Sequence, residues 1–358
     1  MGAVEGRHAQ LLRSLGRTGT ARLSDLADEL KVSMATLRRD VELLSRQGRL
    51  TRRHGAVELN DAVGRPQPPS RTSPAPAIGM MHAENRYLDL IAQAAHRDAE
   101  RRDHRFLVEQ VETTSEARSA ARRLLEAGCI GLVYSPQWRT EADVDEPVPW
   151  LLQLGVPVVL GGREVGPDHP LYALDSVIAD HAYGFQMALD HLQSLGHTRI
   201  MASFHDESPP GRMMRDYYLA QVESRGLARL GPPLVTPEGV DPAATEVMVR
   251  AVLDTRATAI VVHTDVWAQM LVRALRREGI EVPREVSVVA YDDIVTPEVD
   301  LALTSISPPK HPLGVEAVAL LMRRHRLARA GLGQPPIAHV RLLPELVVRT
   351  STGVAVGR

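Results

Sequence analysis

Apolar residues follow two different patterns along this chain. Up to residue 59 they recur at helical spacing on short segments, and the other side of each segment is polar. From Ile78 onward, apolar runs of strand length alternate with helical segments. Apolar strands that alternate with helices are typical of parallel sheets covered on both faces. The pattern predicts an α/β fold, in which a small N-terminal domain precedes a two-lobed region of doubly wound parallel sheets.

The predicted elements of the second region follow from these runs. Apolar segments of strand length lie at 78–81, 106–108, 130–134, 156–160, 199–203, 259–263 and 286–291. Segments with helical spacing lie at 87–100, 115–127, 181–195, 212–224, 267–278 and 313–330.

A helix-turn-helix is predicted near the N-terminus. Ser33 is a suitable N-cap, because its hydroxyl can accept a hydrogen bond from the first helical turn. Leu37, Val41 and Leu44 then recur at helical spacing, so one face packs inward and the other is polar. Upstream, an apolar stripe over residues 23–30 marks a shorter helix. Two short helices joined by a turn of about three residues are the geometry with which helix-turn-helix proteins read DNA.

Arginines are concentrated on the second helix and in the segment that follows it. Six arginines lie between positions 38 and 53, and residues 50–59 have the length of a two-stranded wing. A solvated helix face is the alternative, but the charge, the turn spacing and the wing occur together, which favours DNA binding. The residues expected to contact DNA are Ser24, Ser33, Ala35, Thr36, Arg38, Arg39, Arg46, Arg52, Arg53 and His54.

Residues 7–58 resemble the N-terminal domain of the DeoR family of bacterial transcription regulators. The resemblance rests on RHAQLL at 7–12, LSDLADELKVSMATLRRDVELLSRQG at 23–48 and LTRRHGAV at 50–57. It covers the whole domain and implies a winged helix-turn-helix that binds double-stranded operator DNA. Ala56 stands where the family pattern usually has a second glycine.

Charge is divided unevenly along the chain. Residues 1–60 hold 11 Lys and Arg against 7 Asp and Glu, whereas the remainder holds 31 against 37. The positive charge therefore lies in the domain expected to meet phosphates. Cys129 is the only cysteine, which excludes an internal disulfide and fits a reducing compartment. With no apolar run of membrane-spanning length and no signal-peptide core, we expect a cytoplasmic protein without a membrane partner.

A linker separates the two regions. Residues 61–77 read DAVGRPQPPSRTSPAPA, with five prolines and no apolar period, which predicts an extended and semi-rigid segment. The expected organisation is a DNA-binding domain at 1–58, a linker at 59–76 and a ligand-binding domain at 77–358. Within the last, we expect one lobe from 77–197 and 294–325, and a second from 198–293 and 330–352.

Residues 77–352 resemble the effector-binding region of the LacI/GalR repressors, itself similar to periplasmic sugar-binding proteins. Thr264 and Ala290 depart from the usual Asn and Gly of that pattern, and Cys129 stands in place of a usual Asp. The matching phrases, in family order, are GVPVVLGGR at 155–163, DHAYGFQMALDHLQSLGHTRI at 180–200, TAIVVHTD at 258–265, REGIEVPREVSVVAYDDI at 277–294, LTSISPP at 303–309, LGVEAVALLMRR at 313–324 and LLPELVVRTST at 342–352.

Effector-binding residues are expected where strands end, because ligands of such folds bind in the crevice outside the carboxyl ends of the strands. A sugar needs charged hydrogen-bonding groups and an apolar ring face. Asp292 is the principal candidate, with a helix cap or an ion pair between lobes as its alternative role. For Arg212 and Arg215 the alternative is a solvated position on a helix. For His82 and Asn85 the alternative is capping of a loop. The expected set is His82, Asn85, Ser135, Tyr183, Arg212, Arg215, Thr264 and Asp292.

Together these features predict a DNA-binding transcriptional regulator, a homodimeric repressor whose operator affinity responds to a small-molecule effector, expected to be a sugar, between two lobes. One alternative is a small-molecule binding protein whose N-terminal domain is only a tether or interaction module. Another is a carbohydrate-processing enzyme, which the lack of a phosphate loop, a zinc motif or a nucleophile elbow argues against. No cofactor, metal or catalytic residue is expected.

Overall fold

The structure is a computed structural model, and it describes residues 8, 11, 15, 20–46, 50–53, 56–59, 75–205, 208–237, 239, 241–294 and 301–356. The chain divides into two compact units, Met1–Pro74 and Ala75–Arg358. In the described parts, no helix combines the length and the apolar character that a membrane crossing requires.

The first unit is a small helical domain with a three-stranded antiparallel sheet. Strand β1 pairs with β3, which also pairs with β2, so β3 is central. The predicted wing is therefore confirmed, while β1 was too short for the apolar pattern to reveal. The elements are β1 (Thr20–Arg22), α1 (Leu23–Leu30), α2 (Met34–Arg46), β2 (Leu50–Arg53) and β3 (Ala56–Leu59).

The predicted inward face of this domain forms its core. Leu37, Val41 and Leu44 of α2 are fully buried against leucines of the neighbouring helices and Val57 of the wing. The turn between α1 and α2 is closed by Lys31, whose φ of 51° lies in the left-handed region. This packing directs the remaining face of α2 away from the core.

The second unit contains two lobes, each built on a six-stranded sheet. The first sheet has the order β14-β8-β7-β6-β4-β5, and its neighbouring strands are parallel. Its lobe contains β4 (Ala77–His82), α3 (Arg86–Arg101), β5 (Arg105–Gln110), α4 (Thr114–Glu126), β6 (Cys129–Ser135), α5 (Glu141–Asp145), α6 (Val148–Leu151), β7 (Val158–Gly161) and β8 (Asp175–Ala179), and later α11 (Lys310–Arg329) and β14 (His339–Leu342).

The second sheet has the order β10-β9-β11-β12-β13-β15, in which only the pairing of β13 with β15 is antiparallel. Its lobe contains α7 (His181–Ser194), β9 (Ile200–Phe204), α8 (Pro209–Ser224), β10 (Leu234–Val235), α9 (Pro242–Thr255), β11 (Ala259–Val262), α10 (Asp265–Arg277), β12 (Ser287–Tyr291), β13 (Thr304–Ser307) and β15 (Glu345–Val347).

Each face of each sheet has its own apolar core, as the sequence pattern predicts. In the first lobe, Met80 and Val133 point towards α3 and α11, whereas Met81 and Leu132 point towards α4. The strands of the second lobe alternate in the same way between α9 and α10 on one face and α7 and α8 on the other. With both faces covered, the strand ends are the exposed parts of the sheets.

The predicted division into lobes needs correction. Residues 181–194 form α7, which packs in a core of the second lobe, and β13 also belongs to the second sheet. Residues 339–342 form β14, which pairs with β8 of the first sheet. The chain therefore passes between the lobes near residues 180, 308 and 343, so three connections lie between them.

Helix α11 returns to the first lobe and lies tightly against α3. A Cβ atom on Gly314 would lie 2.4 Å from the Ile91 carbonyl oxygen and 2.7 Å from the Ala95 nitrogen. Near its far end, Arg324 donates two hydrogen bonds to the buried Asp175 carboxylate. Glycine therefore allows the helices to approach, and the ion pair attaches α11 to β8.

We predict that Gly314→Ala destabilises the protein. The helix gains about 1 kcal/mol from alanine propensity, but overpacking against backbone atoms costs about 1–3 kcal/mol and must push the helices apart. Chemical denaturation should show a net loss of stability. The control is Gly166→Ala, because nothing lies within 4 Å of a Cβ atom at that exposed position. Equal stability of both variants would contradict the packing argument.

Candidate functional site

The candidate DNA-reading surface is the outer face of α2. Ser33 caps the helix, since its Oγ accepts a hydrogen bond from the Thr36 backbone N–H at 3.1 Å. Ala35, Arg38 and Arg39 are exposed, whereas Thr36 is partly buried. Neither arginine forms an ion pair with a residue that the structure describes. The cap and the core together fix a helix that presents two exposed arginines.

The structure describes the other predicted DNA-contacting residues less completely. Ser24 is exposed on α1, where its hydroxyl donates to Asp25 at 2.9 Å. Arg46 ends α2, and Arg52 and Arg53 lie on β2, of which only the backbone is described. His54 lies outside the described residues.

The candidate effector site is a cavity of about 70 Å³ between the two lobes of the second unit. Its walls come from the segments that follow the strands of both sheets, as expected for this architecture. The cavity is smaller than the roughly 300–1,000 Å³ of typical ligand pockets, so a sugar enters only when the lobes separate or lining side chains move. The lining residues are Asn85, Tyr87, Leu88, Gln137, Gly162, Arg163, His181, His205, Ser208, Pro210, His263, Thr264 and Asp292.

Asp292 supplies the acidic group of this cavity. It directly follows β12 with a φ of 95°, and Asp293 has a φ of 52°. Such backbone is costly for residues other than glycine and is found at functional sites. It is held by the Asp292 N–H, which donates to the Ile306 carbonyl at 3.0 Å, and by an ion pair of 2.7 Å between Asp293 and Arg349. The strained turn thereby directs one carboxylate into the cavity and the next one away from it.

The surroundings of Asp292 disfavour its charge. Burial, with the Asp265 carboxylate acting in the same direction, raises its pKa to about 7, although the Lys310 ammonium opposes the shift. Lys310 donates to the Asp292 carbonyl rather than to its carboxylate. The carboxylate accepts no hydrogen bond from any residue in the described ranges. Its hydrogen-bonding capacity is therefore available to a ligand.

Arg163 supplies a basic group on the first-lobe wall, just after β7. It is only 6% exposed, and its guanidinium donates to the carbonyls of Pro136 and Gly162. Burial lowers its pKa to about 10, and the charge of the nearby Arg212 acts in the same direction. These two carbonyl bonds fix the orientation of the guanidinium.

Histidines line the second-lobe side of the cavity without charge. Burial lowers the pKa of His181 to about 4 and that of His263 to about 3. The Nδ1 atom of His181 lies 2.9 Å from the Tyr291 hydroxyl, which fixes its ring. Within the described ranges, no group of three His, Cys, Asp or Glu side chains is arranged to hold a metal ion. These rings serve as neutral hydrogen-bonding groups.

Three of the sequence-predicted effector residues line the cavity. Asp292 and Thr264 contribute from the second lobe and Asn85 from the first. Asn85 also caps α3, since its Oδ1 accepts from the Tyr87 N–H at 2.8 Å. Asn85 therefore caps a helix, as the alternative role predicted, and also lines the cavity.

Three others lie behind or beside the cavity. His82 is buried, with its Nδ1 2.8 Å from the Ala83 carbonyl oxygen, so it fixes the loop after β4. Ser135 is buried under Gly161, where a Cβ atom would lie 2.8 Å from the serine Oγ. Tyr183 is exposed, because it lies two positions after His181 and residues so spaced point to different sides of a helix.

The predicted arginines of α8 also lie outside the cavity lining. Arg212 donates to the carbonyls of Trp138 at 3.0 Å and Arg139 at 3.2 Å, which connects the two lobes. Arg215 donates to the adjacent Asp216 carboxylate. Arg212 is thus an interlobe contact in this conformation, and Arg215 lies on the helix surface.

Sequence reasoning missed the arginine and the histidines of the cavity. Arg163 ends the phrase GVPVVLGGR, and a charged residue shortly after an apolar strand was a signal that could have found it. His181 opens a helix, and His263 ends an apolar run. Nothing in the local pattern distinguishes these two from the structural His197, which is buried among Thr258, Ser287 and Gly353.

We predict that Asp292→Asn stabilises the unliganded protein in a pH-dependent way. The folded pKa is raised from 3.8 to about 7, so the penalty for the charge is absent below 3.8 and complete above about 7. Thermal unfolding should show the variant to be more stable, by at least about 1 kcal/mol above pH 7, and the difference should shrink as the pH falls towards 3.8. If the variant is more stable by the same amount at low and at high pH, the gain comes from packing of the amide and not from removal of the charge.

Two family models match the chain. Residues 7–63 match a DeoR-like helix-turn-helix domain, and residues 189–352 match a periplasmic binding protein-like domain. The first match covers the described helices α1 and α2 with the wing, and the second covers most of the second lobe with α11 and β14.

Relatives match over nearly the whole length. The HTH-type transcriptional regulator MalR of Streptomyces coelicolor is 28% identical over 94% of this chain and 98% of its own. The arabinose metabolism transcriptional repressor of Halalkalibacterium halodurans is 28% identical over 93% of this chain and 90% of its own. A LacI transcriptional regulator from Rhodococcus shares the fold, with a TM-score of 0.63 and 24% identity over 78% of this chain and 98% of that one. These relatives are transcriptional regulators, and this chain is a transcriptional regulator that joins a DeoR-like helix-turn-helix domain to a periplasmic binding protein-like domain and is similar to regulators of the LacI/GalR type.

Proposed function

We propose that this protein is a repressor that binds operator DNA through α2 and the wing, and that a sugar-class effector bound between the lobes controls its affinity for DNA. In this proposal residues 1–58 read DNA, residues 59–76 are the linker and residues 77–358 sense the effector. The observation that carries the proposal is that one chain contains both an exposed cationic helix and a cavity whose carboxylate accepts no hydrogen bond from the described residues.

The DNA contacts follow from the exposed face of α2. Arg38 and Arg39 lie on a capped helix of suitable length for the major groove, where an arginine can donate two hydrogen bonds to guanine. Arg52 and Arg53, on the wing strand β2, are assigned to the phosphate backbone, which orients the protein without reading sequence.

The effector class follows from the groups that face the cavity. Sugar hydroxyls are both donors and acceptors, so they bind well to a carboxylate and a guanidinium held in place. Asp292 and Arg163 supply these groups, and Tyr87 adds an aromatic ring. The relation to an arabinose metabolism repressor supports a sugar as the effector.

Coupling between effector and operator is proposed to act through a homodimer. Closure of two lobes about three connecting segments changes the geometry of a dimer, and hence the spacing or order of its two DNA readers. A symmetric dimer reads an inverted repeat, with half-sites separated by multiples of about 10 bp.

We predict that footprinting on the DNA upstream of its own gene shows two protected half-sites in inverted repeat, and that Arg38→Ala and Arg39→Ala weaken this binding. Loss of a bidentate contact to guanine costs about 1–3 kcal/mol of discrimination, or about five- to 150-fold. One base position should also become less selective.

The matched control is Arg118→Ala, which removes an exposed arginine from α4 of the sensor. It should bind operator like the parent. Binding that is weak and blind to sequence in the parent would favour the tether alternative. A single unsymmetrical half-site bound by a monomer would exclude the dimer.

We predict that Asp292→Ala makes the regulator insensitive to its effector. Removing one partner of a charged hydrogen bond costs about 1.5–3 kcal/mol, so affinity for an operator-releasing sugar should fall at least about tenfold. Operator affinity without sugar should be retained. The measurement is the sugar concentration that releases labelled operator from the full-length protein, across a panel of pentoses and hexoses. Asp254→Ala, an exposed position on α9, is the control, and an equal response of the two variants would move the effector site elsewhere.

A further inference from the structure

Arg163 is a buried cation that forms no ion pair with any residue that the structure describes. Its guanidinium has five N–H groups, and two of them donate to the carbonyls of Pro136 and Gly162. Within the described parts of the chain no acceptor is found for the other three, and no carboxylate lies within 4.0 Å. Arginines that are 94% buried are normally paired with an anion, because an unpaired buried charge is costly.

The other groups on this side of the cavity do not neutralise Arg163. Tyr87 lies close enough to interact with it electrostatically, but its phenol has a pKa raised by burial and remains neutral. The Tyr87 hydroxyl is buried and has no hydrogen-bond partner among the described residues. The nearby Arg212 adds a second positive charge rather than an opposite one. The first-lobe wall therefore combines a fixed guanidinium with an unpartnered hydroxyl.

The second-lobe wall cannot supply the missing anion by itself. Asp292 lines the same cavity, yet it lies more than 4.0 Å from Arg163 and interacts instead with Asp265 and Lys310. His181 and His263 are neutral. The two walls thus present different chemistry, a cation on one and a hydroxyl-binding carboxylate on the other.

We propose that the effector is a hydroxylated anion, a sugar acid or sugar phosphate, whose negative group binds Arg163 and Tyr87 while its hydroxyls bind Asp292. This inference rests on the proposed function and specifies the ligand of the same cleft. A carboxylate or phosphate accepts two N–H groups of a guanidinium at once, which a sugar hydroxyl cannot do. A neutral sugar would leave the Arg163 charge without an opposite charge in a site that closes around it.

The test is calorimetry on the full-length protein with matched pairs of probes. The pairs are glucose with glucuronate and gluconate, galactose with galacturonate, and each hexose with its phosphate monoester. At least one anion should bind about tenfold or more tightly than its neutral parent, as expected for one charge-assisted hydrogen-bonding pair. Preference for carboxylates or for phosphates distinguishes the two sources of the negative group.

Variants of Arg163 test whether this residue causes the preference for anions. Arg163→Gln should bring the ratio of anion to neutral affinity close to one, whereas Arg163→Lys, which keeps the charge, should retain part of it. Asp292→Asn should weaken both members of a pair alike. The control is Arg122→Gln, an exposed position on α4, which should leave the ratio unchanged. Because the readout is a ratio within one protein, a general loss of folding lowers both affinities and is recognised by thermal unfolding.

The outcomes separate this inference from the function on which it rests. Neutral sugars that bind as tightly as their acids and phosphates, and release operator, would overturn the anionic effector and leave the sugar-responsive repressor in place. An anion preference that survives in Arg163→Gln would overturn the role of Arg163. If no member of any pair binds or releases operator, both the sugar effector and its anionic form are wrong.

Discussion

Both faces of each parallel sheet in the sensor are covered by helices, and this constraint determines where polar chemistry can occur. The strand faces are committed to four apolar cores, one on each side of each sheet. A polar side chain on those faces would need an internal partner, as Asp175 has in Arg324. The segments after the strands are released from that requirement. The cavity residues Arg163, Thr264 and Asp292 all lie there, on opposite lobes.

The cavity places unlike charges on opposite walls without pairing them. Arg163 is fixed by neutral carbonyls of its own lobe, and Asp292 by a strained turn whose other carboxylate pairs with Arg349. Each group is held in position by contacts that leave its charged atoms available. Burial weakens both charges, as the directions of their pKa shifts show. A ligand that contacts both walls would compensate these costs, which gives closure of the lobes a physical driving force.

Local patterns predicted much of the fold. The seven apolar strands and six helices predicted for the sensor all occur, with bounds shifted by a few residues, because long apolar runs leave few alternatives. The strands that were not predicted include β8, β13, β14 and β15. They are short and carry polar residues such as Ser176 and Ser305, which are satisfied by distant partners. In the site, Asp292 was found from its position after a strand, whereas Arg163 was not, although it occupies an equivalent position in the other lobe.

The sequence by itself determined the helix-turn-helix with its exposed arginines, the parallel strands and their covering helices, because these follow from local periodicity, capping and charge. Only the tertiary structure decided to which lobe each short strand belongs. Strands β14 and β15 are neighbours in the chain, yet they pair with different sheets, since hydrogen-bonding edges are supplied by strands far away in sequence. The tertiary structure likewise placed Arg212 across the lobes and Arg163 in the cavity, because burial and unpaired charge arise only when remote segments meet.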